Sequence, residues 1–412
     1  MPYRVAILSA HTSPLAQPGS GNAGGMNVYV LQTALQLARC GIKVEIFTRA
    51  VSSTDVPIIS LAPGVLVHNI LVRQDLTYNK CSLSNYLCAF TAEVLRITST
   101  YKTKYYDVIH SHYWLSGQIG WLIRKYWSVS LVYTAHTIAA IKNADFSMKD
   151  ISEYCVRKSN EQHIFNKVNR LIVNTKNEAQ QIFSIYNVNS SKTDIIHPGV
   201  NLNIFKPGDQ TIARSILNLA LYESIVVFVG RIQLLKAPDI LIKAVAKLYN
   251  VRVIIVGGLS GNGFVEPNTL LQLTKKLGIF EKVNFFPVQP HKKLVDLYRA
   301  ADLVAIPSYS ESFGLVAIEA QACGTPVVAS SVGGLPIAVA NGVSGALVYS
   351  HSINDWASAI DKMLRQVTKD FKLASIKHAT KFSWDQTVNK LINSYSKATL
   401  DYKPRNYNAY YK

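Results

Sequence analysis

Cysteine is scarce in this chain of 412 residues: Cys40, Cys81, Cys88, Cys155 and Cys323 are odd in number, scattered, and contain no CxxC pair. That pattern excludes a disulfide framework, suggests no metal cluster, and reads as thiols in a reducing compartment. No apolar run approaches the roughly 18 residues of a membrane span. With 49% hydrophobic and 17% charged residues, the chain reads as soluble and globular, without stable membrane insertion. Acidic residues are few, 25 against 43 Lys and Arg, leaving a formal charge of +18. An excess of this size favours anionic ligands or surfaces through potential rather than fold. The basic residues form no block of five or six, which argues against nucleic acid as a partner. The apolar stretch Val5 to Leu8 is too short for a signal peptide, so a cytoplasmic location is expected.

What is present is an alternation. Short β-branched runs recur between helical-period stretches and turn residues, the pattern of parallel strands joined by crossover helices. One series runs Val5 to Ser9, Val44 to Thr48, Val108 to His110, Leu131 to Thr134, Leu171 to Asn174 and Asp194 to His197. A second runs Ile225 to Gly230, Val253 to Gly257, Val283 to Phe286, Leu303 to Pro307, Val327 to Ala329 and Ala346 to Val348. The fold class is therefore α/β: two facing doubly wound parallel-sheet (Rossmann-like) domains, 1–198 and 199–384, with an interdomain cleft. Two Pro-Gly pairs, Pro198-Gly199 and Pro207-Gly208, mark the linker. A helix at about 385–400 is expected to pack back on the first domain, and 402–412 forms a tyrosine-rich tail. Ligands of such sheets bind beyond the carboxyl ends of the strands.

Several segments carry chemistry. After the first strand, His11 to Asn27 is a glycine-rich loop feeding a helix, with Val28, Leu31, Leu35 and Ala38 at helical spacing; free N–H groups at a helix start favour an anion. Gly19, Gly21 and Gly24 spell GxGxxG, but about nine residues separate them from the strand and Glu45 sits inside the second strand, which disfavours a dinucleotide cofactor. Arg231 and Lys236 follow the strand at Ile225; a rigid guanidinium fork and a point charge together suit a diphosphate. Glu311 lies in a loop and Glu319 in an apolar helix, where a buried carboxylate needs partners such as sugar or ribose hydroxyls; a surface Glu319 with Glu311 as helix cap is the plainer alternative. His110 and His112 read as strand-end histidines satisfied by hydrogen bonds, and His136 as a partner for a hydroxyl. No ligand spacing suggests zinc.

These segments resemble the retaining glycosyltransferases of the two-Rossmann-domain GT-B type, specifically the D-inositol-3-phosphate glycosyltransferases of mycothiol biosynthesis. The likeness covers the chain to about Leu400 and lies in His11 to Asn27, His110 to Gln118, Thr134 to Thr137 leading to Lys142-Asn143, and Tyr309 to Gly314. Glu311 and Glu319 match the wider E-x7-E signature. The resemblance implies UDP-N-acetylglucosamine as donor and 1D-myo-inositol 3-phosphate as acceptor, a homodimer, no metal required for catalysis, and room for a structural Mg²⁺. Donor-binding positions would be Gln17, Pro18, Gly25, Arg231, Lys236, Gln289, Glu311 and Glu319; Gln289 stands where the family carries Arg, so only a backbone contact to uracil is unaffected. Acceptor-binding positions would be His11, Asn22, Ala23, Gly24, Gly25, Met26, Asn27, Lys80, Tyr113, Thr137 and Arg157, and catalytic ones His136, Arg231, Lys236 and Glu311. Two cations and two hydroxyls among Lys80, Tyr113, Thr137 and Arg157 make a phosphate grip. Alternatives are a related enzyme with another acceptor, such as a phosphatidylinositol mannosyltransferase or a sucrose-phosphate-synthase-like enzyme, an inactive nucleotide-sugar-binding module, or an NAD oxidoreductase.

Overall fold

A computed structural model describes residues 2–72, 83–141, 151–258 and 267–402. Lys80, Lys142, Asn143 and nearly all of the tail lie outside the described residues. The chain divides into two compact units. The first comprises Met1–Leu15, Met26–Ile196 and Thr387–Lys412; the second comprises Ala16–Gly25 and His197–Gln386.

The first unit is built on an eight-stranded sheet of order β3-β4-β2-β1-β5-β6-β7-β8. Its strands are β1 (Arg4–Ser9), β2 (Lys43–Arg49), β3 (Ile58–Ala62), β4 (Val65–Ile70), β5 (Val108–His112), β6 (Ser130–Thr134), β7 (Arg170–Val173) and β8 (Thr193–Ile195). Those that the alternation predicts are parallel. The β3–β4 hairpin at the edge was not evident in the sequence, and its pairing is antiparallel. The reason is chemical. His68 on β4 points into the core, where its Nε2 meets Glu45 Oε2 at 2.9 Å, so a polar residue occupies an apolar position of the period-2 pattern. β3 itself has no fully buried residue, and Ile58 is exposed.

Glu45 has a structural role. Its buried carboxylate accepts from the hydroxyls of Tyr106 (2.9 Å), Tyr105 (3.2 Å) and Tyr101 (3.3 Å) as well as facing His68. A carboxylate so occupied is unavailable to a ribose at the end of β2, and a dinucleotide site loses its acid. The helix Gly25–Arg39 also differs from its expected face. Asn27, Tyr29, Val30, Thr33, Ala34 and Leu37 are its buried positions, while Val28, Leu31, Leu35 and Ala38 are only half-buried. Polar residues reach the core because their groups are met locally: Thr33 donates to the Tyr29 carbonyl at 2.7 Å, and Asn27 Nδ2 to the Ser13 carbonyl at 2.5 Å.

The second unit has a six-stranded parallel sheet of order β11-β10-β9-β12-β13-β14. Here β9 is Ser224–Val229, β10 Val251–Val256, β11 Val283–Phe286, β12 Leu303–Ile306, β13 Val327–Ser330 and β14 Gly345–Val348. Helices on both faces bury continuous apolar strands, as a doubly wound sheet requires. The linker is tied down: Val200 donates to the Phe382 carbonyl at 2.8 Å. A Cβ on Gly199 would stand 2.4 Å from the Trp384 nitrogen. The helix Trp384–Asp401 then begins in the second unit and ends in the first, where Tyr395 is fully buried. Among the described residues no helix is long and apolar enough to cross a membrane.

Candidate active site

In the second unit the strand ends are crowded with close backbone approaches. A Cβ on Gly257, after β10, would fall 1.8 Å from the Gly230 carbonyl oxygen, after β9, so only glycine fits there. The loop 16–25 has its contacts in this unit, although the sequence reading assigned it to the first domain. Gly258 donates to the Gly19 carbonyl at 3.2 Å, and Gln17 Nε2 to the Gln289 carbonyl at 3.1 Å. Gln289 turns its own amide onto the Pro287 carbonyl at 2.9 Å, which leaves its backbone as the contact it offers. Gly24 lies beside Arg231: a Cβ there would stand 3.8 Å from Arg231 Nε.

Lys236 closes a single 3₁₀ turn, Leu234–Lys236, followed by Ala237 in the left-handed region at φ 49°. Its ammonium pairs with the Glu311 carboxylate, both side chains about one-fifth exposed. Two further contacts fix this pair. Tyr309 donates to the Leu235 carbonyl at 2.9 Å, and Gly334 to the Glu311 carbonyl at 3.1 Å. The helix Leu315–Ala322 starts at Gly314 (φ 108°) with no side-chain cap, an arrangement in which the leading N–H groups of a helix can face an anion. Glu319 on this helix is buried, 8% exposed, and accepts from the Tyr298 hydroxyl at 3.0 Å. Burial pushes its carboxyl up to about 7, and the Tyr298 hydrogen bond offsets only part of that. The surface alternative for Glu319 therefore falls.

In the first unit, two residues with unusual backbone follow the ends of β5 and β6. Tyr113 has φ 71° and His136 φ 59°. The Tyr113 ring lies 4.6 Å from that of His11, and the Arg157 guanidinium 4.9 Å from the Tyr113 centroid. Arg157 Nη2 donates to the Thr137 carbonyl (2.7 Å) and hydroxyl (3.0 Å), while its Nε donates to Glu161 at 2.8 Å. Glu161 is fully buried and also accepts from Tyr186 at 2.6 Å and the Ala139 amide at 3.0 Å. His136 Nε2 faces His112 Nδ1 at 2.9 Å. Burial lowers His110 and His136 to about 3 and holds His112 well below its ordinary value, which keeps all three rings neutral.

The structure thus gathers His11, Tyr113, Thr137 and Arg157 in one unit and Gln17, Gly24, Arg231, Lys236, Gln289, Glu311 and Glu319 in the other. The loop is divided: Pro18, Asn22, Ala23 and Gly25 belong with the second unit, Met26 and Asn27 with the first. Three residues escaped the sequence reading. Glu161 stands at i+4 from Arg157, a spacing that a helical pattern makes visible. Tyr298, which meets Glu319, and Gly333, where a Cβ would fall 1.8 Å from the Glu311 carbonyl oxygen, carry no local signal, because their partners are distant in sequence. His110 is satisfied on both nitrogens as expected, by the Tyr395 hydroxyl at 2.7 Å and Thr134 Oγ1 at 2.8 Å; His112 is satisfied on one only. Among the described residues no three His, Cys, Asp or Glu side chains gather to hold a metal ion.

Comparison with known proteins places these features in context. Residues 23–204 match the family model "Glycosyltransferase Family 4" and residues 209–381 the model "Glycosyl transferases group 1". The chain is 58% identical over 404 residues to the D-inositol 3-phosphate glycosyltransferase of Mycolicibacterium smegmatis, covering 98% of this chain and 93% of that protein. Among solved structures it is similar to sucrose-phosphate synthase from Thermosynechococcus elongatus, with a TM-score of 0.88 and 30% identity, over 96% of this chain and 98% of that one. Anabaena HepE in complex with UDP-glucose shares the fold, with a TM-score of 0.75 at 22% identity over 95% and 99% of the two chains. These neighbours are GT-B glycosyltransferases.

Proposed function

We propose, since this chain belongs to the family of D-inositol 3-phosphate glycosyltransferases, that it transfers N-acetylglucosamine from UDP-N-acetylglucosamine to 1D-myo-inositol 3-phosphate with retention, the first step of mycothiol biosynthesis. The observation that carries the acceptor part is the grouping of Arg157, Thr137 and Tyr113 beyond the ends of β5 and β6. A guanidinium and two hydroxyls there can address a phosphate monoester.

On the donor side, the bond from the sugar C1 to the diphosphate oxygen breaks as the bond from C1 to an inositol oxygen forms on the same face. The inositol proton passes to the departing diphosphate. Negative charge grows on that leaving group, and Arg231, Lys236 and the uncapped start of the helix Leu315–Ala322 are the groups that would meet it. Glu311 would accept from sugar hydroxyls, Glu319 from the ribose, and His136 would hydrogen-bond the donor sugar. Support for this reading comes from the Lys236–Glu311 pair, which holds a cation and an acceptor side by side. The same reading includes a cytoplasmic homodimer, whose oligomeric part sedimentation of the purified chain tests.

The decisive experiment incubates purified protein with UDP-N-acetylglucosamine and, in separate reactions, inositol 1-phosphate, 1D-myo-inositol 3-phosphate and phosphatidylinositol, with mass detection of product and UDP. Product with the 3-phosphate alone is expected. Product only with the lipid, or UDP binding without turnover, would overturn the reading in favour of a lipid-acceptor enzyme or a binding module.

A further inference from the structure

His110, His112 and His136 form a buried cluster in the first unit, with ring centroids 4.1 Å apart for the first two and 5.1 Å for the last two. His110 is fully engaged by Tyr395 and Thr134. His112 is not: its Nδ1 lies 2.9 Å from His136 Nε2, while its own Nε2 is buried with no hydrogen-bond partner among the described residues. An orphaned buried nitrogen is costly. An apolar side chain of similar volume would spare that cost, so stability alone does not account for an imidazole at this position.

The other end of the hydrogen bond is strained. Thr137 donates its amide to the Ala135 carbonyl at 2.7 Å, closing a three-residue turn with His136 at its centre and φ 59°. A γ-turn of this hand is rare for a residue with a side chain. Such outliers persist only where their surroundings hold them. The residue that follows is Thr137, whose carbonyl and hydroxyl receive Arg157. One strained turn therefore sets both the His136 ring and the seat of Arg157.

We propose that His112 is a positioning residue: its hydrogen bond to His136 Nε2 holds the turn Ala135 to Thr137, and through that turn it places His136 and the Thr137 atoms that anchor Arg157. The functional half of this inference rests on the reading that His136 and Arg157 address the two substrates. With both rings neutral, one of the two nitrogens donates and the other accepts, so the bond holds His136 in a single tautomer.

The test compares His112→Leu, which keeps volume without a hydrogen bond, with His112→Asn, whose amide can give or take a hydrogen bond near the place of Nδ1. Each is assayed for thermal midpoint, kcat, and KM for both substrates, and the ring nitrogens of ¹⁵N-histidine-labelled wild-type protein are examined near neutral pH. The Leu variant is expected to fold, to lose about tenfold or more in kcat and to gain in KM for the inositol phosphate, with Asn restoring most of the loss. A folded Leu variant within about twofold of wild type in both constants, or Asn no better than Leu, overturns the proposal. Should Leu not fold, the wild-type spectrum decides: one neutral tautomer for His136 supports the proposal, and interconverting tautomers sink it. Wild-type protein that turns over none of the substrates removes the proposed function instead, and leaves the spectrum as the judge of the hydrogen bond.

Discussion

The Lys236 ammonium pairs with the Glu311 carboxylate across 75 residues of sequence, at the ends of two different strand-to-loop connections of the second unit. Solvent-reached ion pairs contribute about 1 kcal/mol or less to stability, and both partners here keep about one-fifth of their side chains exposed, so the juxtaposition is better explained by ligand chemistry than by folding. Lys236→Ala is expected to keep its thermal midpoint within a few degrees and to lose roughly 10² to 10³ in kcat, the scale for removing one preorganised group facing developing charge. Steady-state kinetics beside a thermal melt check it. Near-normal turnover removes Lys236 from the diphosphate.

Gly333 lies against the backbone of the same glutamate. Its φ is 53°, and a Cβ there would sit 1.8 Å from the Glu311 carbonyl oxygen. Gly333→Ala must therefore move the Glu311 segment or the turn after β13. A displacement of about 1 Å at a reacting group can cost roughly a hundredfold in rate. The variant is expected to show that order of loss in kcat/KM while UDP binding, measured by calorimetry, falls far less. Unchanged kinetics would show that the segment gives way freely.

Much of this arrangement was legible and some was not, for definable reasons. β-branched runs between turn residues located the parallel strands, because both faces of such strands are buried and the apolar signal is continuous. The β3–β4 hairpin was hidden by His68 pointing inward at Glu45. Arg231, Lys236, Glu311 and Glu319 stood out as charges at strand ends or in an apolar helix, whereas the pairing of Lys236 with Glu311 is a tertiary fact. The strained turn at His136 leaves no compositional trace, since no glycine marks its positive φ. The attachment of loop 16–25 to the second unit runs through backbone groups of Gly19, Gly258 and Gln289, which no residue type announces.

Glu319 ties stability to pH. Its carboxyl lies at about 7 in the folded chain against 4.5 for the free group, because burial disfavours the charge. The folded state then holds a proton that the unfolded state has lost between those values, so stability falls as pH rises from about 4.5 to about 7 and is level above. A shift of this size corresponds to about 3 kcal/mol. Glu319→Gln is expected to unfold in urea at nearly the wild-type concentration below about pH 4.5, to become progressively more stable than wild type as pH rises from about 4.5 to about 7, and to gain nothing further above. Glu178 is raised to about 7 as well, again by burial, but it is common to both proteins and cancels in the comparison. A stability difference that does not change with pH would show that Glu319 keeps an ordinary carboxyl.

Arg157 uses the whole geometry of its guanidinium: Nε on Glu161, Nη2 on both oxygens of Thr137, and the plane over Tyr113. An ammonium cannot occupy these positions at once. Arg157→Lys is expected to raise KM for 1D-myo-inositol 3-phosphate by about tenfold or more while KM for the UDP-sugar holds, since a charge-assisted bond to phosphate is worth roughly 1.5–3 kcal/mol. Arg157→Met goes further, because it leaves the fully buried Glu161 without its cation, a change that typically costs about 3–5 kcal/mol. The Tyr186 hydroxyl and the Ala139 amide still reach Glu161, which places the expected loss toward the lower end. Kinetics with each substrate varied in turn, together with urea unfolding of both variants, separate the two roles. A Lys variant with unaltered acceptor KM would show that Arg157 only supports the Ala135 to Ala139 segment, and the phosphate would then have to be sought on other groups.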